Sequence, residues 1–409
     1  MISDVVIIGS ELDAFIASLR LKEFGLSSRI ISNGKGSYLF SSGNIKVLGF
    51  ANNKRDKLIL NPFESIEELS DLHPYKLIGK QNVEESIDWF FKLNICKELN
   101  YSHKKNNSYT ISPIGLKIPT YGSYFNQLSF ESIQNSNVSI VHFNDQRDFH
   151  SQLIAQSLKK YVNTIEIVYV APPDLKQHLD NSALAVSFDR LHNIDDYFLE
   201  IKKHINTKSS IVIFPAVLGI NKYKEVIESA EGILLKKCFE APTLPPSIPS
   251  IRLNRLLEKE VLQYSYIYRG SNVVKAQLKE NKCLSVFDNF GRNIKGKVFI
   301  FANGGIMMGG LIVDSKGNIT EKIVGAKVHQ INPMECNKSY ESLIALQLSG
   351  VLTDQNLKPF SNGNNQLENV FFTGRSLSHW NPSLEFSSDG VSIATGWHSA
   401  NNARSYLEQ

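Results

Sequence analysis

The first residues able to do chemistry stand near the start of the chain, in the run Val5-Val6-Ile7-Ile8-Gly9-Ser10-Glu11-Leu12-Asp13-Ala14. An unbroken β-branched stretch ending in glycine reads as a buried parallel strand. Leu12, Phe15, Ile16 and Leu19 follow at helical spacing, and Gly25 stands where that helix would stop. A strand-to-helix turn of this kind aims free amide N–H groups and the positive end of the helix dipole at an anion, such as the pyrophosphate of a dinucleotide. In the fingerprint for that task, Gly-x-Gly-x-x-Gly/Ala, Gly9 and Ala14 fill the first and third places, with Ser10 directly after Gly9. Glu11 fills the second, bringing a side chain and a negative charge where bare backbone should approach the phosphates. After the next apolar stretch, Arg29-Ile30-Ile31, Ser32-Asn33-Gly34-Lys35 replaces the acidic residue that would bind a ribose.

Further glycine endings must be brought to the same place by the fold. Val298-Phe299-Ile300-Phe301-Ala302-Asn303-Gly304-Gly305 repeats the logic of the opening, and Val370-Phe371-Phe372-Thr373-Gly374 repeats it again. Ser41-Ser42-Gly43-Asn44, just past the second strand, either brings backbone amides up to a flat ring or forms a plain Ser-Gly turn. Between these segments, residues 51 to about 135 are polar and interrupted by a helical pattern over 83–91 with its apolar face on 83, 87, 90 and 91. Strand-like runs return at Ile140–Phe143, Ile165–Val170 and Ile211–Phe214, separated by helix-length patterns, which describes a second α/β unit. Pro242-Thr243-Leu244-Pro245-Pro246-Ser247-Ile248-Pro249 predicts a rigid extended connector leading into a helix over 251–264. Asn272–Leu278 and Cys283–Phe287 then read as a strand pair. The expected fold is α/β: a discontinuous Rossmann-like FAD/NAD(P)-binding domain made of 1–50 and 250–409, with an inserted second α/β domain over 51–249.

Composition narrows the function. The chain has 409 residues, 42% of them hydrophobic and 21% charged, which is a folded protein's profile. Cys96, Cys238, Cys283 and Cys336 are widely spaced with no Cys-x-x-Cys pair, so a disulfide framework, a zinc ribbon and a protein-held iron–sulfur cluster are not expected. The net charge of +4 is spread along the chain and leaves no nucleic-acid footprint. No apolar run is long enough for a membrane span and the N-terminus lacks a secretion signal, so the expected location is cytoplasmic, or peripheral at the inner face of the cell membrane through a partner. No P-loop, His-Glu-x-x-His or Ser-His-Asp order is present.

Several motifs in one order carry a resemblance to a known family. Ser41-Ser42-Gly43, His73-Pro74-Tyr75, Phe214-Pro215-Ala216-Val217-Leu218-Gly219, Thr243-Leu244-Pro245-Pro246-Ser247 running into Ile251-Arg252-Leu253, and Ala302-Asn303-Gly304-Gly305 make the chain resemble the B subunit of the anaerobic glycerol-3-phosphate dehydrogenases. The resemblance implies a flavoprotein, binding FAD or FMN, that works with other subunits of a dehydrogenase complex. The complex oxidises sn-glycerol 3-phosphate to dihydroxyacetone phosphate and passes electrons toward quinone. It places Gly9, Ser10 and Ala14 at the flavin nucleotide's phosphates, and Ser41, Ser42, Gly43 and Asn44 near its ring. Ala302, Gly304 and Gly305 would line the ring, with Gly374, Asp389, Gly390 and Val391 closing over it. A non-catalytic adaptor that keeps this fold is the alternative, suggested by Glu11.

Oxidising an alcohol needs a base for the hydroxyl proton, for which His379, His398 and His73 are candidates, although each also reads as a structural histidine. A substrate phosphate suits forked arginines, and here Arg252, Arg255 and Arg375 are available. Arg252 lies in the motif that carries the resemblance, and it also reads as a salt-bridge partner.

Overall fold

The opening run folds as strand, helix and strand: Ser3–Ile8, Leu12–Glu23 and Ser28–Ser32. Gly25 ends the helix in a left-handed conformation at φ +71°, its N–H donating back to the Lys22 carbonyl. The first strand lies between Ser28–Ser32 and the long strand Asn293–Phe301, parallel to both. Tyr266–Arg269 extends the sheet beyond Ser28–Ser32, and Val370–Phe372 pairs in parallel with the end of Asn293–Phe301. Val273–Lys279 and Lys282–Asp288 form the expected antiparallel pair and complete a seven-stranded sheet. Val5, Val6, Ile7, Val298, Phe299, Ile300 and Phe301 are fully buried, which is why these strands read as continuous apolar runs.

In this computed structural model, which describes residues 2–51, 57–173 and 180–409, the chain divides into two units. The first contains Met1–Tyr38, Lys46–Lys97 and Leu256–Gln409; the second contains Leu39–Ile45 and Glu98–Arg255. These boundaries differ from 1–50 plus 250–409 around 51–249 in three places: residues 51–97 fall in the first unit, and residues 39–45 and 250–255 fall in the second. The helix Lys80–Lys92 buries Val83, Ile87 and Phe90 and packs beside the C-terminal helix Ser388–Leu407, which draws the segment before residue 98 into the first unit. Residues 39–45 join the second unit because Ile45 exchanges main-chain hydrogen bonds with the strand Lys117–Ser123 and the Tyr101 hydroxyl donates to the Gly43 carbonyl at 2.5 Å.

The second unit is itself α/β. Its parallel sheet runs in the order Thr164–Val170, Asn137–Phe143, Ile211–Pro215, Lys237–Ala241. Ile140, Ile213, Phe149, Ile154 and Leu158 lie in its core. An antiparallel pair, Ser102–Ile111 with Lys117–Ser123, belongs to the same unit. The proline-rich stretch is shorter than expected as a connector. A helix, Ile248–Val261, already begins at Ile248 and takes Pro249 into its first turn, where a missing N–H costs nothing.

Candidate functional site

The parallel arrangement of the first unit puts three glycine-ended strands side by side with their carboxyl ends at one edge: Ser3–Ile8 before Gly9, Asn293–Phe301 before Gly304-Gly305, and Val370–Phe372 before Gly374. Ligands of open α/β sheets bind at that edge. Gly9 is held at φ +120°, and a Cβ there would lie 1.8 Å from the Ala302 carbonyl oxygen, so no larger residue permits the first turn to approach its neighbour. The turns enclose a cleft of about 390 Å³ of free space, its open side included. Gly9, Ser10 and Glu11 form one wall; Asn33, Gly34 and Gly36 a second; Ala302, Asn303 and Met308 a third; and Ser271 and Asn272 close the end. Ser10 ties two walls together, its hydroxyl donating to the Gly34 carbonyl at 2.5 Å.

Glu11 sits at the centre of these turns and is nearly buried. Its Oε1 accepts the Ser37 N–H at 2.6 Å and its Oε2 accepts the Ser37 hydroxyl at 3.0 Å. Burial raises its pKa, with the Ser37 hydrogen bonds and the Arg375 charge working the other way. Two residues along, Asp13 is pushed up to about 7 by burial; the Thr373 hydroxyl, donating at 2.6 Å, opposes the rise and the Glu11 charge adds to it. Among the described residues the other oxygen of Asp13 has no side-chain or main-chain hydrogen-bond partner. Ala14 is fully buried on the same helix. Across the cleft the Ser376 hydroxyl donates to Asn303 Oδ1 at 2.6 Å and accepts the Gly305 N–H at 3.2 Å, fixing the third wall.

The remaining expected residues take up varied positions. In the second unit, Ser41 Oγ, Ser42 Oγ and both polar side-chain atoms of Asn44 are buried without a partner among the described residues, and a Cβ at Gly43 would lie 2.5 Å from Pro249 Cβ. The residues expected to close over a cofactor pack against neighbouring elements. A Cβ at Gly374 would lie 2.4 Å from the Asp13 carboxylate, and one at Gly390 would lie 2.1 Å from the Tyr75 hydroxyl. Asp389 accepts the Lys46 N–H at 3.1 Å, and Val391 is fully buried. The nearby His73 is also structural: its Nδ1 accepts the Tyr75 N–H at 3.0 Å, leaving Nε2 to donate to Glu385 at 3.1 Å.

Arg252 requires correction as a substrate ligand. Its guanidinium is buried and bonded twice to the buried carboxylate of Glu240, at 2.6 and 2.9 Å, while Nε donates to the Gly219 carbonyl at 2.8 Å. Burial works against its charge, yet Glu240 holds its pKa above the usual value. The Tyr223 ring lies 3.9 Å below it. With its guanidinium buried and three of its five N–H donors bonded within the second unit, Arg252 is a brace of that unit.

The two C-terminal histidines do not meet in the glycine-lined cleft. His379 lines a different cleft of about 210 Å³ with Leu72, Pro74, Leu77 and Thr353. Its ring stacks on His329 at 4.0 Å, and burial, with His329 adding, lowers its pKa to about 4. His398 Nε2 faces the Gln355 carbonyl at 3.1 Å, and burial lowers its pKa too. Sequence reasoning missed Ser37, Ser271 and Asn272, polar residues in ordinary turns with no local signal beyond the nearby glycines.

The glycine turns at one sheet edge define a nucleotide-binding α/β protein. A family model described as "FAD binding domain" matches residues 4–388, and the chain belongs to that family. It is 26% identical to the B subunit of the anaerobic glycerol-3-phosphate dehydrogenase of Aliivibrio fischeri, over 99% of this chain and 95% of the relative. The protein of the same name from Vibrio cholerae is 26% identical over 97% of this chain and 95% of that one. Among solved structures, the open conformation of a flavocytochrome c3 fumarate reductase aligns with a TM-score of 0.46 and 10% identity, covering 100% of this chain and 79% of that one. The chain is a subunit of flavin-oxidoreductase type, and its flavin is FAD. The adaptor reading is not favoured.

The chain's own residues fit that cofactor in an observable way. Gly9, Gly36 and Gly304 all have positive φ and lie against neighbouring turns, leaving a cradle of backbone at the cleft. Asn303 Nδ2, on the cleft wall, is buried without a partner among the described residues and has a hydrogen bond to give.

Proposed function

We propose that this chain works with partner subunits in the oxidation of sn-glycerol 3-phosphate to dihydroxyacetone phosphate, with the electrons leaving toward quinone. The observation that carries the reading is the near end-to-end similarity to proteins named as that dehydrogenase's B subunit, joined to a glycine-walled cleft at the carboxyl edge of the sheet. FAD, when bound, supplies the acceptor for the two electrons of the alcohol. The backbone at Gly9, Gly36 and Gly304 would hold its diphosphate, with Ser10 and Asn303 as polar contacts. In the second unit, the unpaired groups of Ser41, Ser42 and Asn44 are free to take a ligand's hydrogen bonds. Onward electron transfer is assigned to a partner because the four cysteines have no cluster spacing. Among the described residues no helix is long and apolar enough to cross a membrane, so contact with a membrane is assigned to a partner as well.

The test is the visible spectrum of the full chain after incubation with FAD, followed by anaerobic addition of glycerol 3-phosphate in the presence of the partner subunits. Flavin bands near one equivalent that bleach with this substrate are expected. Bound flavin that stays oxidised with glycerol 3-phosphate but bleaches with another alcohol would overturn the substrate assignment.

A further inference from the structure

The cleft contains one charged wall residue, and its charge has the wrong sign for a diphosphate. Glu11 is that residue, and among the described residues no lysine, arginine or histidine lines the cleft. The carboxylate does not turn outward into solvent. It bridges from the first turn to the third residue beyond Gly34, taking the main-chain N–H of Ser37 at 2.6 Å and its hydroxyl at 3.0 Å. The same Oε1 lies 3.1 Å from where a Cβ on Gly36 would be and 3.2 Å from where a Cβ on Gly304 would be. It therefore lies among the three turns whose glycines shape the cradle. A carboxylate whose two oxygens accept a main-chain N–H and a hydroxyl between glycine turns is in the bonding position that a phosphate group takes in such a nest.

We propose that Glu11 acts as an internal anion of the diphosphate cradle, so that FAD enters by displacing the Glu11–Ser37 bridge. This inference rests on the FAD reading above. The bridge ties the turn after Ser28–Ser32 to the opening turn. Binding must then break two hydrogen bonds to a charged group and move a carboxylate away from incoming phosphates. The other charges that act on Glu11 are Asp13, below it on the same helix, and Arg375, from the turn after Val370–Phe372; the arginine offers the displaced carboxylate a partner.

The experiment measures FAD, ADP and riboflavin binding to the full-length chain by titration calorimetry, comparing wild type with Glu11→Gly and Glu11→Gln. Glu11→Gly removes bulk and charge. Glu11→Gln keeps the shape, which serves if the glycine variant fails to fold. Both variants should bind FAD and ADP about 10- to 100-fold more tightly than wild type, the range that one charged hydrogen bond represents. Riboflavin, which has no phosphate, should gain nothing. Equal or weaker FAD affinity in the folded variants overturns the inference while leaving the FAD reading intact, and so does an equal gain for riboflavin. Failure of all three forms to bind FAD overturns the FAD reading and the inference together.

Discussion

Replacing Arg252 with methionine separates a structural brace from a substrate ligand. The substitution removes both bonds to Glu240, at 2.6 and 2.9 Å, the 2.8 Å bond to the Gly219 carbonyl and the stacking over Tyr223. The Glu240 carboxylate is left fully buried with the Leu218 N–H, at 3.0 Å, as its remaining bonded partner among the described residues. Breaking a buried pair from one side costs about 3–5 kcal/mol, because the surviving charge cannot regain water. At roughly 2–4 °C per kcal/mol for a unit of this size, the second unit's melting point should fall by roughly 6–20 °C. All three tryptophans, Trp89, Trp380 and Trp397, lie in the first unit, so the measurement is calorimetric melting and not tryptophan fluorescence. The double variant Arg252→Met with Glu240→Leu removes both charges and should recover most of the loss. A loss of less than about 1 kcal/mol in the single variant, with a raised KM for a phosphorylated substrate, would refute the reasoning and return Arg252 to the substrate.

Two other perturbations test the packing beneath the cleft. Asp13 titrates near 7 when folded, against about 3.9 when unfolded, so the native chain holds a proton that the unfolded chain releases between those values. Its contribution is therefore fully present below about pH 4 and is lost as pH rises through 7. Asp13→Asn should flatten the decline in stability from pH 5 to 8 in urea titrations, and identical slopes in the two proteins would refute this. Gly390→Ala places a methyl 2.1 Å from the Tyr75 hydroxyl and 2.8 Å from Val47 Cα, and should cost about 1–3 kcal/mol in thermal melts. Adding Tyr75→Phe should return part of that loss; an unchanged melting point in the single variant would show that the helix start can shift without cost.

Legibility in the sequence followed the range of the physics involved. Strand, turn and helix at residues 3–23, the glycine ending at 302–305 and the strand pair after 272 depend on side-chain periodicity and on backbone freedom at single glycines, and these operate within about ten residues. The family motifs added a cofactor class because each is a short run with its own order. The helix over 83–91 was legible as a helix with an apolar face, but its face does not say which surface will cover it. Only the tertiary structure placed it beside Ser388–Leu407 and so moved the boundary of the first unit.

The charged and polar residues divided in the same way. The sequence by itself determined that Glu11 stands where the fingerprint wants glycine, that Arg252 follows the proline-rich motif, and that three strands end in glycine. Tertiary structure decided what each does: Glu11 reaches Ser37, Arg252 is consumed by Glu240, and Gly374 and Gly390 make room for Asp13 and Tyr75. The physical reason is that a propensity belongs to a residue and its immediate neighbours, whereas a hydrogen bond, an ion pair or a steric limit belongs to two segments and exists only after packing has brought them together.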